Sequence, residues 1–377
     1  MDLKLHVISF QVPYPPTYGG VIDVYYKLKL LKEAGVSIIL HTFQYDHAEA
    51  PELCNVVDTV YYYPRKTGWA SLFSLLPYTV YTRKSKQLIN NLLLDNYPIL
   101  FEGIHTCYIL NDKRLSERIK LVRMHNIESV YYNQLAASAI NLQRKCFYRL
   151  ESAKLSFYEK RLNNADAILP ITPYETEFFS KMYPNKKVLC VECFYDDTVF
   201  SNLSTSVVNA DYVLFQADLS VDANVRAALF VLDEVLPILP KDIPLIFAGK
   251  NPTDILCRKA KCCQQVKIFA NPSEEEMNNL LVNARINLLL SFHNTGIKLK
   301  LLYALVKSRG YCLANSTILE GTSLHGFCQV ADDATEMASA IIKLFSSEQT
   351  VDAVARRNSV IQLYSNVKNV NTLLAFL

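Results

Sequence analysis

Apolar and polar positions along the chain of 377 residues fall into a repeating rhythm. Leu3–Phe10 is a mostly apolar run with β-branched residues, which predicts a buried strand. Gln11–Gly20 holds three prolines and the pair Gly19-Gly20, which predicts an irregular loop. Val21–Ala34 then places Val21, Val24, Tyr25, Leu28 and Leu31 at helical spacing and stops at Gly35, a natural C-cap. Val36–Thr42 reads as a second strand. A strand, a helix and a strand in this order imply a parallel sheet.

The rhythm continues. Strands are expected at Thr59–Tyr63, Ile99–Glu102, Lys120–Met124, Ala167–Ile171 and Val188–Cys193. Helices are expected at Arg83–Leu94, over a long stretch from Ile127 to Asn163, and at Pro173–Met182, where Pro occupies the first position. Residues 196–209 are polar, with five Ser/Thr and two Asn, and read as an interdomain linker. After it the alternation restarts. Strands are predicted at Tyr212–Gln216, Pro244–Ala248, Val266–Phe269, Asn287–Ser291 and Tyr311–Asn315. Helices are predicted at Ala223–Leu239, Pro252–Lys261, Ser273–Asn283, Gly296–Lys307 and Thr335–Phe345. Ser273 and Glu276 form a capping box, and Val351–Leu377 reads as helical. The expectation is α/β: two doubly wound, Rossmann-like domains, 1–195 and 210–350, followed by a C-terminal helical segment at 351–377. In such folds ligands bind beyond the carboxyl ends of the strands, so a cleft between the two domains is where chemistry is expected.

Composition narrows the classes. Only 10 glycines are present, and neither a P-loop nor the G-x-G-x-x-G fingerprint occurs. H-E-x-x-H, G-x-S-x-G and D-x-D are absent as well. The formal charge of +3 is too small to imply nucleic acid. Its distribution is uneven: Pro64–Arg161 carries 16 Lys+Arg against 7 Asp+Glu, a local excess of +9, which leaves −6 for the rest. A basic lobe suits anionic membranes or phosphorylated partners, and solvated helix faces are the competing reading. The ten cysteines form no framework, because Cys257, Cys262 and Cys263 cluster without a C-x-x-C. They are expected to be reduced thiols of a cytoplasmic protein. Met1–Phe10 does not read as a signal peptide, and apolar runs such as Ile286–Leu290 are strand-sized.

Three segments carry candidate chemistry. Phe292–Ala304 follows a buried strand and opens a helix. Thr295 is placed to cap it, Gly296 and Ile297 bring backbone N–H groups to a ligand, and Lys298 and Lys300 add positive charge. Two cations at a helix N-terminus oppose the macrodipole, so the pattern suits an anion, most naturally a diphosphate. A helix with exposed lysines is the bland alternative. In Pro13–Asp23, Gly19 and Gly20 stand where the first strand turns into the first helix, so bare N–H groups can approach a phosphate or sugar. In Arg123–Glu128 the strand delivers His125 to the cleft rim, with Asn126 and Glu128 suited to hydroxyl recognition. Glu102 and His105, in the preceding strand and loop, offer a similar pairing.

These segments, with Ala217–Asn224 and the run to Asn315, resemble retaining, nucleotide-sugar-dependent glycosyltransferases of the GT-B fold, family 4, over nearly the whole chain. The resemblance implies an N-terminal acceptor domain, a C-terminal donor domain and a terminal helix crossing back to the first. By it, His125 matches a catalytic His near the donor sugar, and Gly19-Gly20 match the glycine loop beside the donor phosphates. Gly296–Lys300 match the segment lining the diphosphate. Glu102, His105, Asn126 and Glu128 are then expected on the acceptor side. The nucleotide sugar is a co-substrate, so no cofactor and no metal are implied. Two positions depart from the family. Tyr303 stands where a Glu usually holds the ribose, and Ala217–Asn224 lacks the usual Arg or Lys, with Arg226 one turn further on. The partners implied are a nucleotide-sugar donor and a glycan or lipid-linked acceptor, as in surface-polysaccharide assembly, and not nucleic acid. A non-catalytic binding protein with the same shell and a nucleotide-sugar epimerase are the alternatives.

One further segment bears on location. Trp69–Leu76 is a short apolar run with the only tryptophan, flanked by Arg65, Lys66, Arg83, Lys84 and Lys86. Trp69 and Phe73 are expected at an anionic membrane surface, on its inner face. Packing under the first domain is the competing reading.

Overall fold

The computed structural model describes residues 3–45, 48–68, 71, 73–139, 141–197, 210–292, 299–347 and 351–377. The chain divides into two compact units. The first takes residues up to Asp197 together with Ser365–Leu377, and the second takes the described residues between 210 and 364.

The first unit is built on seven parallel strands: β1 (Lys4–Ser9), β2 (Ser37–Gln44), β3 (Thr59–Pro64), β4 (Ile99–Glu102), β5 (Lys120–Met124), β6 (Ala167–Pro170) and β7 (Lys187–Val188). Their order is β3-β2-β1-β4-β5-β6-β7. Central strands of a sheet covered on both faces are enclosed on both, and β5 is buried at every position, its Lys120 and Arg123 included. Along β1 the period of two divides the faces. Leu5 and Val7 pack on one side with Val24, Leu28 and Leu31 of the helix α1 (Gly19–Glu33), while Ile8 packs on the other with Phe101, Val122 and Leu155. The chain leaves the centre through β2 and β3, then returns to place β4 beside β1. This is the topological switch point, where neighbouring loops part and leave a crevice.

The second unit repeats the plan with β8 (Ala210–Gln216), β9 (Leu245–Gly249), β10 (Val266–Ala270), β11 (Ala284–Leu289), β12 (Tyr311–Ala314) and β13 (Gln329–Val330). The order is β10-β9-β8-β11-β12-β13, all parallel, with the switch between β8 and β11.

Several elements differ from the sequence expectation for local reasons. The helical stretch expected over Ile127–Asn163, for which a break was open, divides into two helices, Glu128–Ser138 and Leu142–Glu159, because Asn141 caps the second by accepting from the N–H groups of Gln143 and Arg144. The helix expected at Arg83–Leu94 is confined to Lys86–Leu92, since the Ser85 hydroxyl accepts from Leu88 N–H and starts it there. Arg83 is thereby left in a turn. Ala223–Leu239 is helical only over Asp222–Phe230, then widens through Val231–Val235 and tightens at Leu236–Ile238, where Pro237 has no N–H to donate. Of the strand expected at Val188–Cys193, only Val188 belongs to β7. The tail is likewise two helices, Ala353–Leu363 and Asn366–Leu374, separated at Tyr364 and Ser365, with Ser365 accepting from Lys368 N–H. The second of these belongs to the first unit: Asn369 bonds both the N–H and the carbonyl of Glu192, and Val370 and Leu373 join the α1 face of the core.

Candidate active site

A network of buried charges lies at the carboxyl ends of β1, β4 and β5. Asp23 and Lys27 stand one turn apart on α1, Glu102 ends β4, and Arg123 and His125 come from the end of β5. Lys27 Nζ lies 3.0 Å from Asp23 Oδ2 and 2.8 Å from Glu102 Oε1. Arg123 donates to Asp23 Oδ1 at 2.8 Å and to the carbonyls of Val191 and Glu192. Phe194 N–H completes the Asp23 shell at 2.8 Å. Lys27, Glu102 and Arg123 are fully enclosed. Burial alone would raise both carboxyls. The Arg123 guanidinium and the Lys27 ammonium outweigh it at Asp23 and hold that carboxyl well below the usual range. Lys27 and the bond from His125 hold Glu102 down in the same way.

This network orients His125. Glu102 Oε2 is 3.1 Å from His125 Nε2, and an ionised carboxylate only accepts, so Nε2 carries the hydrogen. Nδ1 is 3.8 Å from Asp23 Oδ2, beyond hydrogen-bond reach. The Phe10 ring, just past β1, meets His125 edge-on at 5.6 Å and His105 at 5.9 Å. Close packing here needs glycine twice. A Cβ on Gly20 would sit 3.0 Å from the Phe10 ring. Gly103 has φ +71°, and a Cβ there would sit 2.8 Å from His105 Nδ1.

Beyond His125 the character changes. Burial pushes the Glu128 carboxyl up to about 8, so it is protonated at neutral pH and able to donate. Asn126 donates to it at 3.2 Å, and His105 Nε2 lies 3.7 Å away. Burial, then Arg83 and His125, push His105 well below its ordinary value. A neutral acid and a neutral imidazole thus stand beside a charged network, which suits binding and orienting hydroxyl groups.

The structure places each predicted residue. Gly19 and Gly20 begin α1. His125, His105, Asn126 and Glu128 come together at the switch point. Glu102 belongs to the same site but does not face a ligand: it is enclosed, and it acts through His125. Asp23, Lys27 and Arg123 were not among the expected residues. The one signal for Asp23 and Lys27 is an i, i+4 pair of opposite charges on the helix face that also carries Val24, Leu28 and Leu31. Asp23, Glu102 and His125 offer three ligand atoms within 4.8 Å of one another, spacing that a metal ion could use. Lys27 already supplies the cation between the two carboxylates, so a metal would have to displace a buried ammonium.

Of the predicted residues, Thr295, Gly296, Ile297 and Lys298 lie outside the described residues, as does Trp69. Lys300 Nζ donates to the Leu290 carbonyl at the end of β11, at 2.6 Å, and lies 5.7 Å from the centre of the Phe215 ring. Lys307 Nζ stands over the Tyr303 ring at 5.2 Å. Arg226 stacks on Phe292 at 5.1 Å, which brings a guanidinium to the end of β11 despite its place one turn into the helix. The strand ends are clamped by amides: Ser291 N–H donates to Asn315 Oδ1, and Asn315 donates back to the Ser291 carbonyl. Gly249 lies so close to Ala217 that a Cβ would sit 1.6 Å from its carbonyl oxygen.

Comparison with solved structures decides the fold. Sucrose-phosphate synthase from Thermosynechococcus elongatus superposes with a TM-score of 0.70 at 13% identity, covering 98% of this chain and 97% of that one. The chain has the GT-B glycosyltransferase fold. A TarM variant from S. aureus, solved with fondaparinux, α-GlcNAc-glycerol and UDP, matches at a TM-score of 0.66 and 9% identity over 99% of both chains. An α,α-trehalose-phosphate synthase from Burkholderia vietnamiensis matches at 0.62 and 10% identity, also over 99% of both. In sequence, an uncharacterized 44.6 kDa protein in the cps region of Klebsiella pneumoniae is 27% identical over 365 residues, 90% of each chain. No protein-family model matches. No helix among the described residues is long and apolar enough to cross a membrane.

Proposed function

We propose that the protein is a retaining, metal-independent glycosyltransferase that moves a hexosyl group from a nucleotide sugar to a glycan or lipid-linked acceptor in surface-polysaccharide synthesis. The observation that carries this reading is the oriented His125 at the first switch point of a GT-B fold. The relative from a cps region supports the polysaccharide context. The second unit handles the donor: Lys300 and Arg226 supply positive charge at the end of β11, where a departing diphosphate gathers negative charge, and Lys298 is the further cation expected from the sequence. In the first unit His125 Nδ1 holds a sugar hydroxyl, while Glu128, Asn126 and His105 orient the acceptor. The acceptor oxygen bonds the anomeric carbon on the face that the diphosphate leaves, and the acceptor proton departs with the leaving group. Lys27, in place of a metal, balances Asp23 and Glu102. The protein is assigned to the inner face of the membrane, with Phe73 as a contact residue.

The test is a thermal-shift screen of UDP-, GDP- and ADP-sugars, followed by nucleotide release with the one that binds. His125→Ala is expected to lower turnover by roughly 10²–10³ with little change in melting temperature. A variant that loses stability while its activity tracks the folded fraction would mark His125 as a packing residue. Tyr303, in place of a ribose-binding acid, favours one second reading: a non-catalytic nucleotide-sugar binder, which would bind donor and release no nucleotide.

A further inference from the structure

Among the described residues, buried arginines are neutralised or saturated, with one exception. Arg123 pairs with Asp23, and Arg118 pairs with Asp95. Arg356 has no carboxylate, but all three of its nitrogens donate to carbonyls, those of Leu305, Gly310 and Ser308. Arg83 is different. It is 6% exposed and sits in the turn after the short helix Tyr78–Tyr81. Nε donates to the Phe10 carbonyl and Nη1 to the Thr79 carbonyl, both at 2.7 Å. Among the described residues, Nη2 makes no hydrogen bond and no carboxylate pairs with the guanidinium. A buried cation without a counter-ion is costly, so such a group points to a charge that arrives with a ligand.

A second cation stands beside it. Arg65 Nη2 donates to Thr82 Oγ1 at 3.1 Å, and Lys66 N–H bonds the Thr82 carbonyl, so residues 65–66 run alongside 82–83. Arg65 Nε is buried with no hydrogen-bond partner, and its guanidinium stacks on Tyr45 at 4.1 Å. The pair borders the candidate active site, because the Phe10 residue that anchors Arg83 by its carbonyl also packs its ring on His105 and His125. His105 Nδ1 is also enclosed without a partner. Glu128 is the carboxyl whose charge is felt at Arg83, and burial pushes it up to about 8 against that attraction, without a direct ion pair. Two guanidinium groups and an imidazole suit a tetrahedral dianion better than a single carboxylate.

We infer that Arg83 and Arg65 bind a phosphate group carried by the acceptor, at the carboxyl end of β1 beside His105. The word acceptor rests on the transferase reading, and the anion site does not. A phosphate of this kind can belong to a lipid diphosphate or to a phosphorylated sugar. The experiment is calorimetric titration of the full chain with inorganic phosphate. Arg83→Gln and Arg65→Gln are each expected to weaken binding at least tenfold, and Arg83→Lys less. Equal affinity in the wild type and both Gln variants overturns the site. If Arg83→Gln does not fold, the half-buried Arg65 decides through its own variant. Competition then names the source: a polyprenyl diphosphate in detergent micelles, or a hexose phosphate, should displace inorganic phosphate. Displacement by either supports the proposal, and displacement by neither overturns it. Arg83-dependent binding without any glycosyl transfer would sink the transferase reading alone. Transfer without such binding would sink this inference alone.

Discussion

The two switch points share a topology and differ in what holds them. In the first unit the strand ends are joined by full charges: Lys27 between Asp23 and Glu102, and Arg123 on Asp23. In the second, Asn315 and Ser291 exchange neutral hydrogen bonds, and Lys300 rests on a carbonyl. Buried ion pairs contribute little net stability but are severe to break, because the surviving partner stays charged and enclosed. Neutral clamps cost little to weaken. The first switch point therefore has its geometry fixed before any ligand arrives, as a site that must aim His125 requires. At the second, the cations Lys300 and Arg226 stand at the strand end, on a carbonyl and an aromatic ring.

The sharpest way to break this contrast is Asp23→Ala, which strands Lys27 and Arg123. It should destabilise the first unit by about 3–5 kcal/mol, whereas Asn315→Ala should cost the second only about 1–3 kcal/mol. Urea titration read by hydrogen exchange in each unit tests this, and comparable losses would erase the distinction. Next in size is the donor contact. Lys300→Met is expected to weaken nucleotide-sugar affinity by about 1.5–3 kcal/mol, measured by calorimetry, with the first unit's stability unchanged. Unaltered affinity would remove Lys300 from the donor site.

A pH-dependent effect, confined to the first unit, concerns Glu128. Its carboxyl is raised from 4.5 to about 8 on folding, so the folded state holds the proton more tightly. Its contribution is present below pH 4.5 and is lost as pH rises towards 8. Glu128→Gln should therefore gain stability over the wild type across that window, by up to about 1.4 kcal/mol per pH unit, and level off above it. Melting temperatures from pH 4 to 9 would show it, and a pH-independent difference would contradict it. The smallest effect is at the surface. Phe73 and Leu75 are 84% and 95% exposed, beside a basic segment. Each basic residue near an anionic bilayer is worth roughly 1 kcal/mol, so sedimentation with anionic vesicles should be salt-sensitive and should weaken in Phe73→Ser. Failure to sediment at low salt would favour an acceptor free in solution.

How much of this was legible in the sequence follows from the range of each interaction. Strands such as Ala167–Pro170 were readable because a doubly covered strand is a continuous apolar run, and Lys120–Met124 was readable from its apolar Leu121, Val122 and Met124. His125 was readable because it follows such a strand. The network that aims it was not, since Arg123 meets Asp23 across 100 residues and Lys27 meets Glu102 across 75. Arg83 was hidden for a local reason: the apolar period runs through it, and only the Ser85 cap shows that the helix starts later. The short-range signals at 295–298 lie outside the described residues.

The segment Ser365–Leu377 completes the first unit after the second has been made. In order of synthesis, the second unit is an insertion within the first. A ribosome delivers β1 to β7 long before Asn369 exists to bond Glu192, or Val370 and Leu373 to cover the α1 face. Until that helix arrives, the part of the α1 face it covers is left open, while the second unit already has all its described strands. The first unit is thus the first to be begun and the last to be closed.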